Sequence, residues 1–110
     1  MDTNYPLTFP LFAAIEKESG CALARAFGTD IFLWLFTDEV MALREAKATD
    51  YGEFTIRTLT PQETEDLLCT PATPDSPAYT AVQLNPQLSL SVPPLIFGRD
   101  TFLGMLKRYG

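Results

Sequence analysis

Histidine is absent from this chain of 110 residues. Without an imidazole, a Ser/His or Cys/His nucleophile pair, a histidine general base and a His-bearing zinc site are all excluded. Cysteine is nearly as scarce. Cys21 and Cys69 stand far apart and in no C-x-x-C spacing, which removes the dithiol redox motif and the four-thiolate metal site. Both are expected as reduced, partly buried side chains, the alternative being a single disulfide between them. Cys69 is a poor nucleophile besides: it falls at the end of an expected helix, where the dipole raises a thiol pKa, and no basic residue lies within three positions of it.

Positive charge is the next shortage. Lys and Arg number 8 against 14 Asp and Glu, for a net charge of -6, and such a surface repels a phosphate backbone. Nucleic acid is therefore not expected as a partner. Long apolar runs are missing too: the longest, Ile31 to Phe36, has six residues, about a third of a membrane span. The opening residues Met1 to Pro6 carry no basic stretch of an export signal, so no membrane is expected and a cytoplasmic location is. The six glycines, at 20, 28, 52, 98, 104 and 110, are isolated from one another and build no phosphate-cradling loop. No catalytic residue, no metal site and no cofactor is predicted, and the chain reads as a non-enzyme.

What is present describes a folded domain. Hydrophobic residues make up 46% and charged residues 20%, enough for one core, and the length leaves no room for a second. A single domain over 1–110 is expected. Ile31-Phe32-Leu33-Trp34-Leu35-Phe36 would place large apolar groups all round a helix, so it predicts a central strand covered on both faces. Thr37 then offers its hydroxyl as cap to a helix opening with Asp38 and Glu39. The apolar stripe of that helix is Val40, Leu43 and either Ala46 or Lys47, and Asp50-Tyr51-Gly52 ends it. Upstream, Phe9 to Glu16 and Cys21 to Phe27 read as strands separated by Glu18-Ser19-Gly20 and followed by Gly28-Thr29-Asp30. A helix over Leu11 to Lys17 is the competing reading, since the run does not alternate.

Downstream, Glu53 to Leu59 alternates as a strand, and Thr60-Pro61-Gln62-Glu63 combines a hydroxyl cap, a proline at the first helical position and a reciprocating Glu. A short helix anchored by Leu67 and Leu68 follows, ended by Pro71. Six of the nine prolines fall between 70 and 94. Thr70 to Ala78 is predicted as a mobile loop, but Tyr79 to Leu84 and Leu88 to Val92 read as strands meeting at Asn85-Pro86-Gln87. Leu95 to Phe97 is a short extended piece. A last helix opens near Asp100, with Phe102, Leu103, Met105, Leu106 and Tyr109 on one apolar face and Lys107 and Arg108 at its negative end. The sum is an α+β fold: a mainly antiparallel sheet of five or six strands with two or three helices.

This order of elements, with Phe36-Thr37-Asp38 at the end of one strand and Leu84-Asn85-Pro86 at the end of another, resembles the SseB-like (enhanced serine sensitivity) domain family. Members of that family look like a small α+β domain in which one strand runs into a Phe-Thr-Ser or Phe-Thr-Asp helix cap and a later strand runs into Leu-Asn-Pro-Gly. Gln87 stands where the family carries Gly, a departure at a turn, since Gln adopts positive φ reluctantly. The likeness covers residues from about 30 to 106 and implies no catalytic residue.

Thr37, Asp38 and Asn85 are the candidate ligand-binding residues. Asn85 offers a donor and an acceptor on a loop, and Thr37-Asp38 sits at a helix start whose N–H groups attract anions. Capping by Thr37 and Asp38, and turn chemistry at Asn85-Pro86, account for the same residues without a ligand. Glu63, Glu65 and Asp66 form the densest acidic cluster, but a first helical turn favours acids and no calcium-loop glycine accompanies them. Two functions fit. The first is a non-enzymatic module that binds another protein, or a second copy of itself, through a sheet edge or an apolar patch near the proline-rich loop. The second is a small polar metabolite held in a cleft near Thr37 and Asn85.

Overall fold

A computed structural model describes residues 9–49, 52–70, 79–86 and 95–107. The order of elements is β1 (Leu11–Glu16), β2 (Ala24–Phe27), β3 (Asp30–Leu35), α1 (Glu39–Thr49), β4 (Phe54–Leu59), α2 (Pro61–Cys69), β5 (Ala81–Leu84), β6 (Leu95–Gly98) and α3 (Arg99–Leu106). The fold is α+β, with six strands in two sheets, mostly antiparallel, and three helices among the described residues. One sheet is β1–β4 and the other runs β2–β3–β5–β6. Single bridges at Phe12–Phe36 and Ile15–Ala22 join them. β3 and β5 are the parallel pair, because α1, β4 and α2 intervene and return the chain in the same direction.

β3 is flanked by β2 and β5, and its alternating side chains enter two different cores. Leu33 and Leu35 point to one side, where Leu11, Leu59, Val82 and Leu84 meet Leu68 of α2 and Phe102, Met105 and Leu106 of α3. Trp34 and Phe36 point to the other, against Ala14, Leu23, Ala42 and Ala46. The central strand expected at Ile31 to Phe36 is therefore present. Leu11 to Glu16 is a strand and not the competing helix, paired along its whole length with β4. Gly28, at φ 63, turns β2 into β3 in a conformation glycine adopts without a steric penalty. The expected strand at Leu88 to Val92, most of the loop from Thr70 to Ala78, and Tyr109 lie outside the described residues.

The capping box at Thr60 forms as the sequence implies. Glu63 N–H donates to Thr60 Oγ1 at 3.2 Å, and Thr60 N–H donates back to Glu63 Oε1 at 3.1 Å. At α1 two expectations fail. Its cap is Asp38, not Thr37: Met41 N–H donates to Asp38 Oδ1 at 2.9 Å. Its apolar stripe keeps the expected Ala46 but joins it to Ala42, not to Val40 and Leu43, which are 74% and 38% exposed, and Glu45 is buried beside the two alanines. The cause is steric: α1 lies against β1 and β4, and two alanines let the helix approach the strands where larger side chains would hold it away. The buried Glu45 carboxylate accepts from Arg44 Nε at 2.9 Å. The cysteines form no disulfide, and Cys69 is exposed where partial burial was expected.

This packing predicts opposite responses on the two faces of α1. Ala46→Leu should destabilise the domain by about 2 kcal/mol through overpacking, whereas Val40→Ser should stay within about 0.5 kcal/mol of the parent. Urea unfolding of the three proteins measures both, and a neutral Ala46→Leu would mean that α1 does not lie on the sheet as described.

Candidate functional site

Because β3 and β5 are parallel neighbours with Leu35 opposite Leu84, the two segments that follow them emerge side by side at one end of the sheet. Asn85 N–H donates to Leu35 O at 2.8 Å and so extends the ladder by one bond. Asn85 then turns the chain at φ 54, a left-handed conformation that Asn adopts more readily than other side-chain-bearing residues. Its amide reaches across to the residue after Phe36. Thr37 N–H donates to Asn85 Oδ1 at 2.9 Å, and Asn85 Nδ2 donates to Thr37 Oγ1 at 3.0 Å.

Thr37, Asp38 and Asn85 are thus brought together, 48 positions in sequence separating Thr37 from Asn85. Each already makes a side-chain hydrogen bond within the chain. Thr37 and Asn85 bond one another, and Asp38 holds the first turn of α1. The Asn85 side chain therefore does more than shape its own turn: it clasps the ends of two parallel strands. A ligand held by Thr37 and Asn85 would have to displace the bonds that join the two strand ends.

The acidic cluster on α2 is also internally bonded. Gln62 Nε2 donates to Glu65 Oε2 at 3.2 Å and to Asp66 Oδ1 at 3.0 Å. The Thr60 backbone N–H, the Thr60 hydroxyl and then Arg57 stabilise the Glu63 carboxylate and hold its pKa below the ordinary 4.5. A depressed carboxyl pKa stabilises the fold above the unfolded value, and that contribution is lost as pH falls through the folded one. Among the described residues no three His, Cys, Asp or Glu side chains converge as metal ligands. Tyr79 is 2% exposed, and burial, followed by the nearby Cys21, pushes its phenol above the ordinary 10.0. It stays a neutral core residue, its contribution present below that pH and lost as the pH rises beyond it.

A cleft of about 540 Å³ lies elsewhere, at the opposite side of β3 from β5, between β2 and the end of α1. Leu23, Arg25 and Trp34 line it from the sheet, and Ala48 and Thr49 from the helix. Neither Arg25 nor Trp34 stands out in the sequence as a site residue. Trp34 belongs to an apolar run and reads as core, and the alternation of one strand does not show where a helix stops covering its face. Compared with known protein families, with characterised proteins and with solved structures, the chain finds no match.

The clasp is testable by two substitutions at one position. Asn85→Ala leaves the Thr37 N–H without its acceptor and places a Cβ-bearing residue without a polar side chain in the left-handed region, so it should destabilise by about 2 kcal/mol. Asn85→Gly relieves the backbone strain but not the lost bond, and should fall between Ala and the parent. Thermal and urea unfolding decide the order; if all three are equally stable, the clasp is not a structural element.

Proposed function

We propose that this domain is a non-enzymatic protein-interaction module, and that it engages a partner by strand pairing at the outer edge of β6. The observation that carries this reading is that β6 ends the four-stranded sheet, paired to β5 on one side, while Leu95 and Ile96 are 42% and 47% exposed. Among the described residues no strand pairs with its other edge. Such an edge presents unpaired backbone groups together with apolar side chains, the two components of strand addition.

A second copy of the chain is the partner that fits best. Two antiparallel β6 strands related by a two-fold axis complement each other by symmetry. Leu95-Ile96-Phe97-Gly98 carries no charge on a chain of net charge -6, so two copies meet there with less repulsion than at the acidic helices. Placement of the chain among SseB-like domains belongs to the same reading, supported by the two short words Phe36-Thr37-Asp38 and Leu84-Asn85-Pro86 at the ends of adjacent strands. Metabolite binding at Thr37, Asp38 and Asn85 is the weaker reading, because the Thr37 and Asn85 side chains are bonded to each other and Asp38 caps α1.

Light scattering coupled to size-exclusion chromatography, run from about 10 μM to 1 mM, should show a monomer passing into a dimer. Ile96→Lys should keep the far-ultraviolet circular dichroism of the parent and remain a monomer throughout. A parent that is monomeric over the whole range, or an Ile96→Lys variant that still dimerises, would overturn the β6 reading.

A further inference from the structure

The backbone bonds around β5 fix which groups of β6 face outward. Asn85 N–H donates to Leu35 O at 2.8 Å, so alternation along β5 turns Gln83 and Ala81 toward β3 and leaves Leu84 and Val82 to bond β6. Their opposite residues are Leu95 and Phe97. Arg99 N–H, which donates to Thr80 O at 3.0 Å, continues the same alternation. Leu95 and Phe97 therefore bond inward, and the backbone groups of Ile96 and Gly98 point away from the sheet. Ile96 offers both an N–H and a C=O there. Gly98 is the N-cap of α3, and its C=O accepts the first bond of that helix.

Resting on the β6 reading, we propose that β6 of a second copy docks in one register, with the two-fold axis between the two Ile96 residues. Antiparallel pairing must match outward groups to outward groups. That excludes the fully overlapped alignment of Leu95–Gly98, which sets Ile96 against Phe97. Two alignments that pair three residues of each strand remain. One centres on Phe97: it sets Ile96 against Gly98 and Leu95 against Arg99, and it calls on the Gly98 C=O already turned into α3. The other centres on Ile96. There the two Ile96 residues exchange both backbone bonds, their half-exposed side chains meet, and the half-exposed Leu95 of each copy faces Phe97 of the other. No charge enters that contact, on a chain of net charge -6. So short an interface lies below the roughly 1,200 Å² of stable complexes, which makes the dimer weak and leaves no room for a register that forfeits bonds or apolar contact. The Ile96 register also carries the facing row Trp34, Gln83, Ile96 straight across the axis into the same row of the other copy, joining two four-stranded sheets into one.

The test uses the full chain at about 1 mM, where the dimer is expected. In an equimolar mixture of isotope-labelled and unlabelled protein, filtered NOE spectra should show Leu95 Hα against Phe97 Hα between copies, because such a non-hydrogen-bonded pair stands about 4.5 Å apart at Cα. Cross-linking reads the same register chemically. In a Cys21→Ser, Cys69→Ser background checked for parent circular dichroism, Ile96→Cys sets two thiols on residues about 5.5 Å apart at Cα, within the span of a disulfide. Leu95→Cys, at a position of similar exposure, leaves them on a diagonal about 7–8 Å long and should cross-link about tenfold more slowly. A Phe97 Hα to Phe97 Hα contact between copies, or cross-linking at 95 as fast as at 96, would overturn the register and keep β6 as the interface. A dimer with no contact between copies at β6 would overturn the interface itself.

Discussion

Burial of β3 on both faces is the constraint from which the rest of the architecture follows. A strand that sends Leu33 and Leu35 one way and Trp34 and Phe36 the other needs apolar cover on each side. The chain meets that need with different means. On the first side two helices, α2 and α3, bring large groups such as Leu68, Phe102 and Met105. On the second, α1 buries the small side chains of Ala42 and Ala46, with Met41 packed half-buried beside them, and lies over β1 and β4. The unequal cover leaves the cleft beside Trp34, so the feature that holds the fold together also creates its concave surface.

The same strand explains why the polar words at its end have partners within the chain. β3 and β5 run parallel and must diverge at Thr37 and Asn85, where backbone groups lose their ladder. The Asn85 amide supplies both an acceptor and a donor to Thr37, and the Asp38 carboxylate takes a free N–H of α1. Three polar residues placed where a ligand site is commonly sought thereby satisfy a folding requirement. Function is better sought where apolar groups are left over, at Leu95 and Ile96 on the outer strand.

Much of the fold was legible in the residues, because local signals and burial agreed. Ile31 to Phe36 could not be a surface helix, and Thr60-Pro61-Gln62-Glu63 specifies its own cap through atoms three residues apart. Where a distant partner decides the outcome, the sequence misled. Thr37 and Asp38 are both good caps, and only Asn85, competing for Thr37, leaves the task to Asp38. The α1 stripe was misread in part for a similar reason: Val40 and Leu43 outrank alanine in hydrophobicity, but the helix turns Ala42 and the expected Ala46 toward β1 and β4, with Met41 beside them. The cleft was invisible because it depends on where α1 ends relative to β2, a distance that no periodicity encodes.

Native-state hydrogen exchange followed by NMR tests the dual burial of β3 most directly. If both cores close on that strand, the amides of Leu33, Trp34 and Leu35 exchange only through global unfolding, with an opening free energy equal to that from urea denaturation. The Phe36 amide, bonded to Phe12 O at 2.9 Å, should belong to the same class. Exchange of these amides through local opening, faster than that of the α3 amides, would contradict the account.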